Sequence, residues 1–113
     1  MKVEVDAKQV TVFINSTDQW HGRPLYSAIV QICRERGLAG ATVSRCVEGY
    51  GASHLLHTTR ILELAENLPV RIDIIDVAER IDPLLAVLAG MIGQGLVVVA
   101  NVHILQFSAG SAT

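Results

Sequence analysis

A chain of 113 residues carrying a net charge of −2 is the size of one domain with one hydrophobic core. Its 9 Lys and Arg against 11 Asp and Glu give no electrostatic footprint for nucleic acid. Residues Met1 to Asp6 alternate charged and apolar side chains, unlike a secretory signal, and Cys33 and Cys46 have no metal-like spacing; a cytoplasmic protein with free thiols is expected.

Residues 9–15 alternate, with Val10, Val12 and Ile14 on one face, and predict a strand. Trp20-His21-Gly22-Arg23-Pro24 follows as a loop whose proline suits a first helical turn. Leu25, Ala28, Ile29, Ile32 and Cys33 then repeat at helical spacing, and Gly37 is the natural stop. A second strand is expected over residues 41–50, punctuated by Gly49 and Gly51. Within 52–68 the composition allows a strand at 60–65 before the Asn67-Leu68-Pro69 break. Val70, Ile72 and Ile74 alternate with Arg71 and Asp73 in a third strand.

Asp76 with Glu79 resembles a capping box opening a second helix, whose apolar stripe is Ile81, Leu84, Leu85, Leu88 and Ile92. Pro83 lies deep enough to predict a kink or a restart with Asp82 as a second cap. Gly93-Gln94-Gly95 ends this helix. Residues 96–107 read as a strand interrupted near Asn101, and 108–113 as a flexible tail, leaving one domain over 1–107. After Asp82 there is no Asp, Glu, Lys or Arg. The apolar stretch 84–100 is nevertheless short for a bilayer and broken by Gly90, Gly93 and Gly95, so no membrane span is expected.

The order β-α-β-β-α-β predicts an α+β, ferredoxin-like fold, a four-stranded antiparallel sheet with two helices on one face. The bare face, read as lined by Val and Ile, and the Ala/Gly outer face of the second helix predict a homo-oligomer.

Gly40-Ala41-Thr42-Val43 running to Glu48-Gly49-Tyr50-Gly51 resembles the strand and loop base of PII signalling proteins. His57-Thr58, Leu68-Pro69, the strand from Val70 and Gly93-Gln94-Gly95 extend the resemblance, and His21-Gly22-Arg23-Pro24-Leu25-Tyr26 resembles the signature of a PII-like family of unknown function. The resemblance implies a non-catalytic regulatory homotrimer. Adenine nucleotides would bind between subunits, and a long T-loop would signal to a protein partner. Carried over, Gly49 and Gly51 form the T-loop base, and Gly93 and Gly95 the turn that cradles phosphate. Two positions depart from the PII pattern. Leu96 stands where a lysine follows the Gly-x-Gly, and His103-Ile104-Leu105-Gln106-Phe107 replaces an Arg-rich strand. Weak ATP binding or none is expected.

His21 and Arg23 precede a helix N-terminus, where an anion is favoured. His57 and Arg60 are candidates to add charge to the ligand cleft, so a small anionic ligand or nucleotide is expected. Leu55 and Leu56, apolar in the expected loop, are read as the partner-binding residues, in a segment 52–58 expected to be mobile. His54 and His57 raise a divalent-metal alternative, but on a strand they point apart, and no metal or cofactor is expected. Gly51-Ala52-Ser53-His54 is not a nucleophile elbow, so neither catalytic residues nor an enzyme is expected, a small enzyme being the remaining alternative. Trp20 suits either core packing or stacking on a base.

Overall fold

The computed structural model describes residues 1–46, 48–49, 57–58 and 68–109, with the backbone alone at 48–49 and 57–58. The elements are β1 (Lys2–Asn15), β2 (Gln19–Trp20), β3 (Arg23–Pro24), α1 (Leu25–Glu35), β4 (Gly40–Arg45), β5 (Glu48–Gly49), β6 (His57–Thr58), β7 (Pro69–Asp76), α2 (Ala78–Met91) and β8 (Leu96–Phe107). The long strands form one antiparallel sheet in the order β4-β7-β1-β8. Its two central strands are the first and third of the four, which is the ferredoxin-like arrangement.

Period-two alternation places the core. Val10, Val12 and Ile14 of β1 and Val70, Ile72 and Ile74 of β7 are buried against Leu25, Ala28, Ile29 and Cys33 of α1 and Ile81, Leu84, Leu88 and Met91 of α2. All belong to one apolar cluster, so both helices cover the same face of the sheet. The helices cover the centre and leave the edge: Val97 and Val99 share the helix-facing side with Val12 and Val10, yet both stay exposed.

Several local expectations change. β1 starts at Lys2, and its first residues, up to Ala7, pair only with Val102–Phe107 of β8 as a two-stranded ribbon. β8 runs unbroken through Asn101, which pairs in register with Lys8. α2 is continuous through Pro83, and Asp82 is no second cap but an ion-pair partner of Lys8 at 2.9 Å. Nor does Asp76 cap α2. The N-cap is Val77, and the Asp76 carboxylate accepts the Val77 N–H at 2.7 Å and the Ala39 N–H at 2.9 Å, tying β7 to the start of β4. Arg80 then donates to the carbonyls of Arg36 and Gly37, both at 3.0 Å, closing the C-terminus of α1. Gly37 needs its freedom twice, for a φ of +70° and because a Cβ would lie 3.1 Å from the Arg80 guanidinium.

The bare face is not a Val/Ile face. The rows across it are Ser44-Arg71-Phe13-Leu96, Thr42-Asp73-Thr11-Val98 and Gly40-Ile75-Gln9-Ala100. Polar residues hold its centre, and exposed apolar ones collect on β8. No helix among the described residues is long and apolar enough to cross a membrane. Cys33 is buried and unbridged, its thiol pushed up chiefly by burial, while Cys46 is half-buried.

Candidate functional site

Register brings the sequence candidates to one end of the sheet. Asn15 pairs with Pro69, Arg45 with Val70 and Phe13 with Leu96, so β1 and β4 finish there and β7 and β8 begin there. The connections at that end are the 16–24 loop with the start of α1, the long 46–68 segment, and the turn from α2 into β8. His21, Arg23, Gly93 and Gly95 therefore share one end of the molecule. Gly49 joins them as the pairing partner of His57 in the β5–β6 hairpin at the mouth of the 46–68 segment. Gly51, Leu55, Leu56 and Arg60, like His54 and the proposed strand at 60–65, lie outside the described residues.

His21 and Gly22 form the two-residue turn of a hairpin in which Trp20 pairs with Arg23. Their φ angles of +51° and +79° are what a primed hairpin turn demands of both central residues. Histidine tolerates this region better than most side chains, and here the Trp20 indole stacks on the imidazole at 4.3 Å and 21°. Trp20 also packs against the core, so its ring is shared between core and turn. The loop is fixed to its surroundings. Leu25 N–H donates to the Asp18 carbonyl at 2.8 Å, and Asp18 accepts the Asn15 N–H at 3.0 Å. Ser16 N–H donates to the Leu68 carbonyl at 2.8 Å, and the Ser16 hydroxyl accepts from Leu68 N–H at 3.1 Å. A rigid turn thus presents His21 and Arg23, both exposed, beside the start of α1. That helix has Pro24 at its N-cap, no side-chain cap and no acidic residue in its first turn, so its positive end is offset by neither.

The two glycines of the α2–β8 turn separate. A Cβ on Gly95 would lie 2.8 Å from the Phe13 carbonyl oxygen and 2.9 Å from Ile14 Cγ2, so Gly95 serves the close approach of the turn to β1. Gly93 meets nothing within 4 Å and has no left-handed φ. Packing requires glycine at Gly95 alone.

Sequence reasoning missed a network on the bare face. The Asp73 carboxylate accepts from Arg71 Nε at 2.9 Å, Thr11 Oγ1 at 2.9 Å and Gln9 Nε2 at 3.2 Å, while the Arg71 guanidinium lies 5.7 Å over the Phe13 ring. The Arg71 bond, outweighing partial burial, holds the Asp73 carboxyl below its ordinary range. The available signal was the placement of Arg71 and Asp73 on the side of β7 opposite Ile72 and Ile74. At the far end of the sheet from the candidate site, Asp6, Ala7, Lys8, Ala78, Asn101, Val102 and His103 line an open cleft of about 530 Å³. Among the described residues no group of three or more His, Cys, Asp or Glu is arranged to hold a metal.

The fold is that of the PII-like proteins. CPII, a nitrogen regulatory PII-like protein from Thiomonas intermedia K12 bound to ADP, AMP and bicarbonate, superposes with a TM-score of 0.63 at 16% identity, covering 90% of this chain and 91% of that one. A putative PII-like signaling protein from Thermus thermophilus gives 0.65 at 20% identity, covering 89% and 91%. A GlnK–ATP complex from B. subtilis gives 0.56 at 12% identity, covering 86% and 82%. Within that fold the chain belongs to the DUF190 family, described as an uncharacterized ACR, whose profile matches residues 7–104. It is 32% identical over 101 residues to a UPF0166 protein of Aquifex aeolicus, covering 89% of this chain and 95% of that one. A UPF0166 protein of Methanocaldococcus jannaschii is 31% identical over 103 residues, covering 90% and 94%.

Proposed function

We propose that this protein is a non-catalytic, PII-like regulator that binds a small anion at one end of its sheet, in a cleft completed by a second subunit of a homotrimer. It signals to a partner protein through residues 52–67 of the 46–68 segment. The observation that carries this reading is the convergence, at that end, of the fixed His21–Arg23 turn, the uncapped start of α1, the Gly93–Gly95 turn and both roots of that segment. A helix start with no acidic residue in its first turn and no side-chain cap favours an anion, and His21 and Arg23 place further donors beside it. The trimer is supported by β8, an edge strand with no Asp, Glu, Lys or Arg, on which Leu96 and Val98 are 51% and 44% exposed.

CPII, bound to ADP, AMP and bicarbonate in its structure, names the first ligands to try. ATP is expected to bind weakly or not at all, because Leu96 brings no charge to a phosphate. One absent charge-assisted bond costs about 1.5–3 kcal/mol, roughly tenfold or more in affinity. Calorimetry with AMP, ADP, ATP and bicarbonate, singly and in pairs, is the test. Binding of one of them that is weakened at least tenfold by His21→Ala or Arg23→Ala supports the site. Micromolar ATP binding indifferent to both substitutions removes it. The partner-docking role of Leu55 and Leu56 is read from sequence alone. Their replacement by Ser is expected to leave assembly intact and abolish partner capture, and loss of assembly would place them in the core.

A further inference from the structure

The terminal ribbon carries a histidine in a setting that the ligand site does not use. Residues Lys2 to Ala7 of β1 pair with Val102 to Phe107 of β8 beyond the point where β7 ends at Asp76, so this stretch has one partner strand only. A two-stranded ribbon is marginal by itself in water, and its cross-strand side-chain pairs decide how well it holds. Opposite His103 is Asp6, and one residue pair further along the same face is Glu4. His103 Nδ1 lies 3.1 Å from Asp6 Oδ1, and His103 Nε2 lies 3.1 Å from Glu4 Oε1.

Both contacts are hydrogen bonds only if both ring nitrogens carry a proton. A neutral imidazole has one N–H, so one of the two carboxylates would then face a lone pair. The imidazolium satisfies both, with charge assistance. The charged groups around the ring keep the same sign of preference. On β1, Lys2 pairs with Glu4 at 3.3 Å, and Lys8 is taken up by Asp82 of α2 at 2.9 Å. The part of α2 that lines the adjoining cleft is Ala78, without charge, and the neighbours of His103 on β8 are Asn101, Val102 and Ile104. The Met1 ammonium at the ribbon tip is directed to the Ser108 carbonyl at 2.9 Å.

We propose that His103 is a protonation-dependent clasp: as imidazolium it bridges Glu4 and Asp6 and holds the terminal ribbon closed, and its deprotonation loosens the ribbon while the core sheet stays intact. The bond to Glu4, then that to Asp6, raises the His103 pKa above its ordinary 6.5. The stabilisation is therefore complete below 6.5 and is lost as pH rises through the raised value.

Proton NMR of the imidazole ring, with amide exchange of Val3 and Val5 corrected for intrinsic rates, tests the clasp in the intact chain between about pH 5.5 and 9, a range set to bracket histidine titration. The Met1–Ser108 bonds and the register aim these two N–H groups at β8. His103 is expected to titrate above 6.5, and the protection of those amides to fall severalfold across the same transition, while the amides of Val10, Val12, Ile72 and Ile74 do not change. In His103→Gln the ribbon amides are expected to be less protected at acid pH and flat with pH. The Glu4→Gln/Asp6→Asn double variant should return the histidine to its ordinary value, which keeps the test open if His103→Gln misfolds. A His103 pKa at or below 6.5 in the unaltered protein overturns the proposal, as does ribbon protection that ignores pH or keeps its pH dependence in His103→Gln. None of these readouts depends on ligand binding at the other end of the sheet.

Discussion

Gly95 and Gly93 stand two residues apart and do different work, which makes them a sharp pair for separating packing from binding. A methyl at Gly95 meets the backbone of Phe13, which has nowhere to retreat within the sheet. Gly95→Ala is expected to cost about 1–3 kcal/mol, in the range of other overpacked sites. Gly93→Ala meets open space and should leave stability within about 0.5 kcal/mol, as surface changes do. Chemical denaturation of the two variants checks this. Should Gly93→Ala also weaken ligand binding, a close approach of ligand to backbone is the remaining reason for that glycine. The Asp73 network offers a second check at this scale. A carboxyl held below its ordinary 3.8 stabilises the folded state above that pH, and the contribution is lost as pH falls through the lower, folded value. Asp73→Asn is expected to flatten the acid limb of the stability profile while leaving the helix-covered core untouched.

Among elements, the end of the sheet opposite the candidate site is held by one carboxylate and one guanidinium. Asp76 accepts two backbone N–H groups, from Val77 at the start of α2 and from Ala39 just before β4, and Arg80 closes the last turn of α1. Asp76→Ala orphans both donors, at roughly 1–3 kcal/mol for each that stays buried. Arg80→Ala, at a more exposed position, is expected to cost about 1 kcal/mol. Thermal unfolding of both variants should rank them in that order. This latch also shows where sequence reading stops. The pattern Asp76-x-x-Glu79 has the spacing of a capping box, yet Asp76 lies one residue outside the cap position, where its carboxylate accepts the part-buried N–H of Ala39, 37 residues earlier in the chain. A local rule has no access to that partner. The alternations that placed β1 and β7 were legible because one face of each strand is buried and the other is not. The first half of β1 was illegible because neither of its faces is covered, and β8 was broken at Asn101 only by reading a polar residue as an interruption when Lys8 pairs with it in register. At the candidate site His21 and Arg23 were legible from their place before a helix. The division of labour between Gly93 and Gly95 was not, since it depends on how closely the turn approaches Phe13 and Ile14.

For the molecule as a whole, the bare sheet face and the edge strand make separate demands on assembly. Val10 and Val12 are fully buried beneath the helices, so an Asp at either position should unfold the chain and tests nothing about association. Val98 lies on the opposite face at the edge, and Val98→Asp should leave the fold intact by circular dichroism. The same change is expected to break a trimer into smaller species by light scattering at micromolar concentration. A wild-type monomer under those conditions would remove the intersubunit cleft.

β8 has a further consequence for how a single chain behaves outside the proposed trimer. Natural edge strands are usually guarded by a lysine, a proline or an inward charge that spoils pairing with strangers. The twelve residues of β8 hold no lysine, arginine, proline or carboxylate, and its Leu96 to Val99 run is the kind of short, uncharged, β-prone segment that templates cross-β stacking. A single folded chain is therefore sticky in an unselective way. Dilution, or an interface mutation that leaves β8 uncharged, should yield not a well-behaved solution of single chains but a slow drift into sediment, faster at higher salt, where the repulsion of a net charge of only −2 is screened. The same strand that would make correct assembly favourable leaves its absence poorly tolerated.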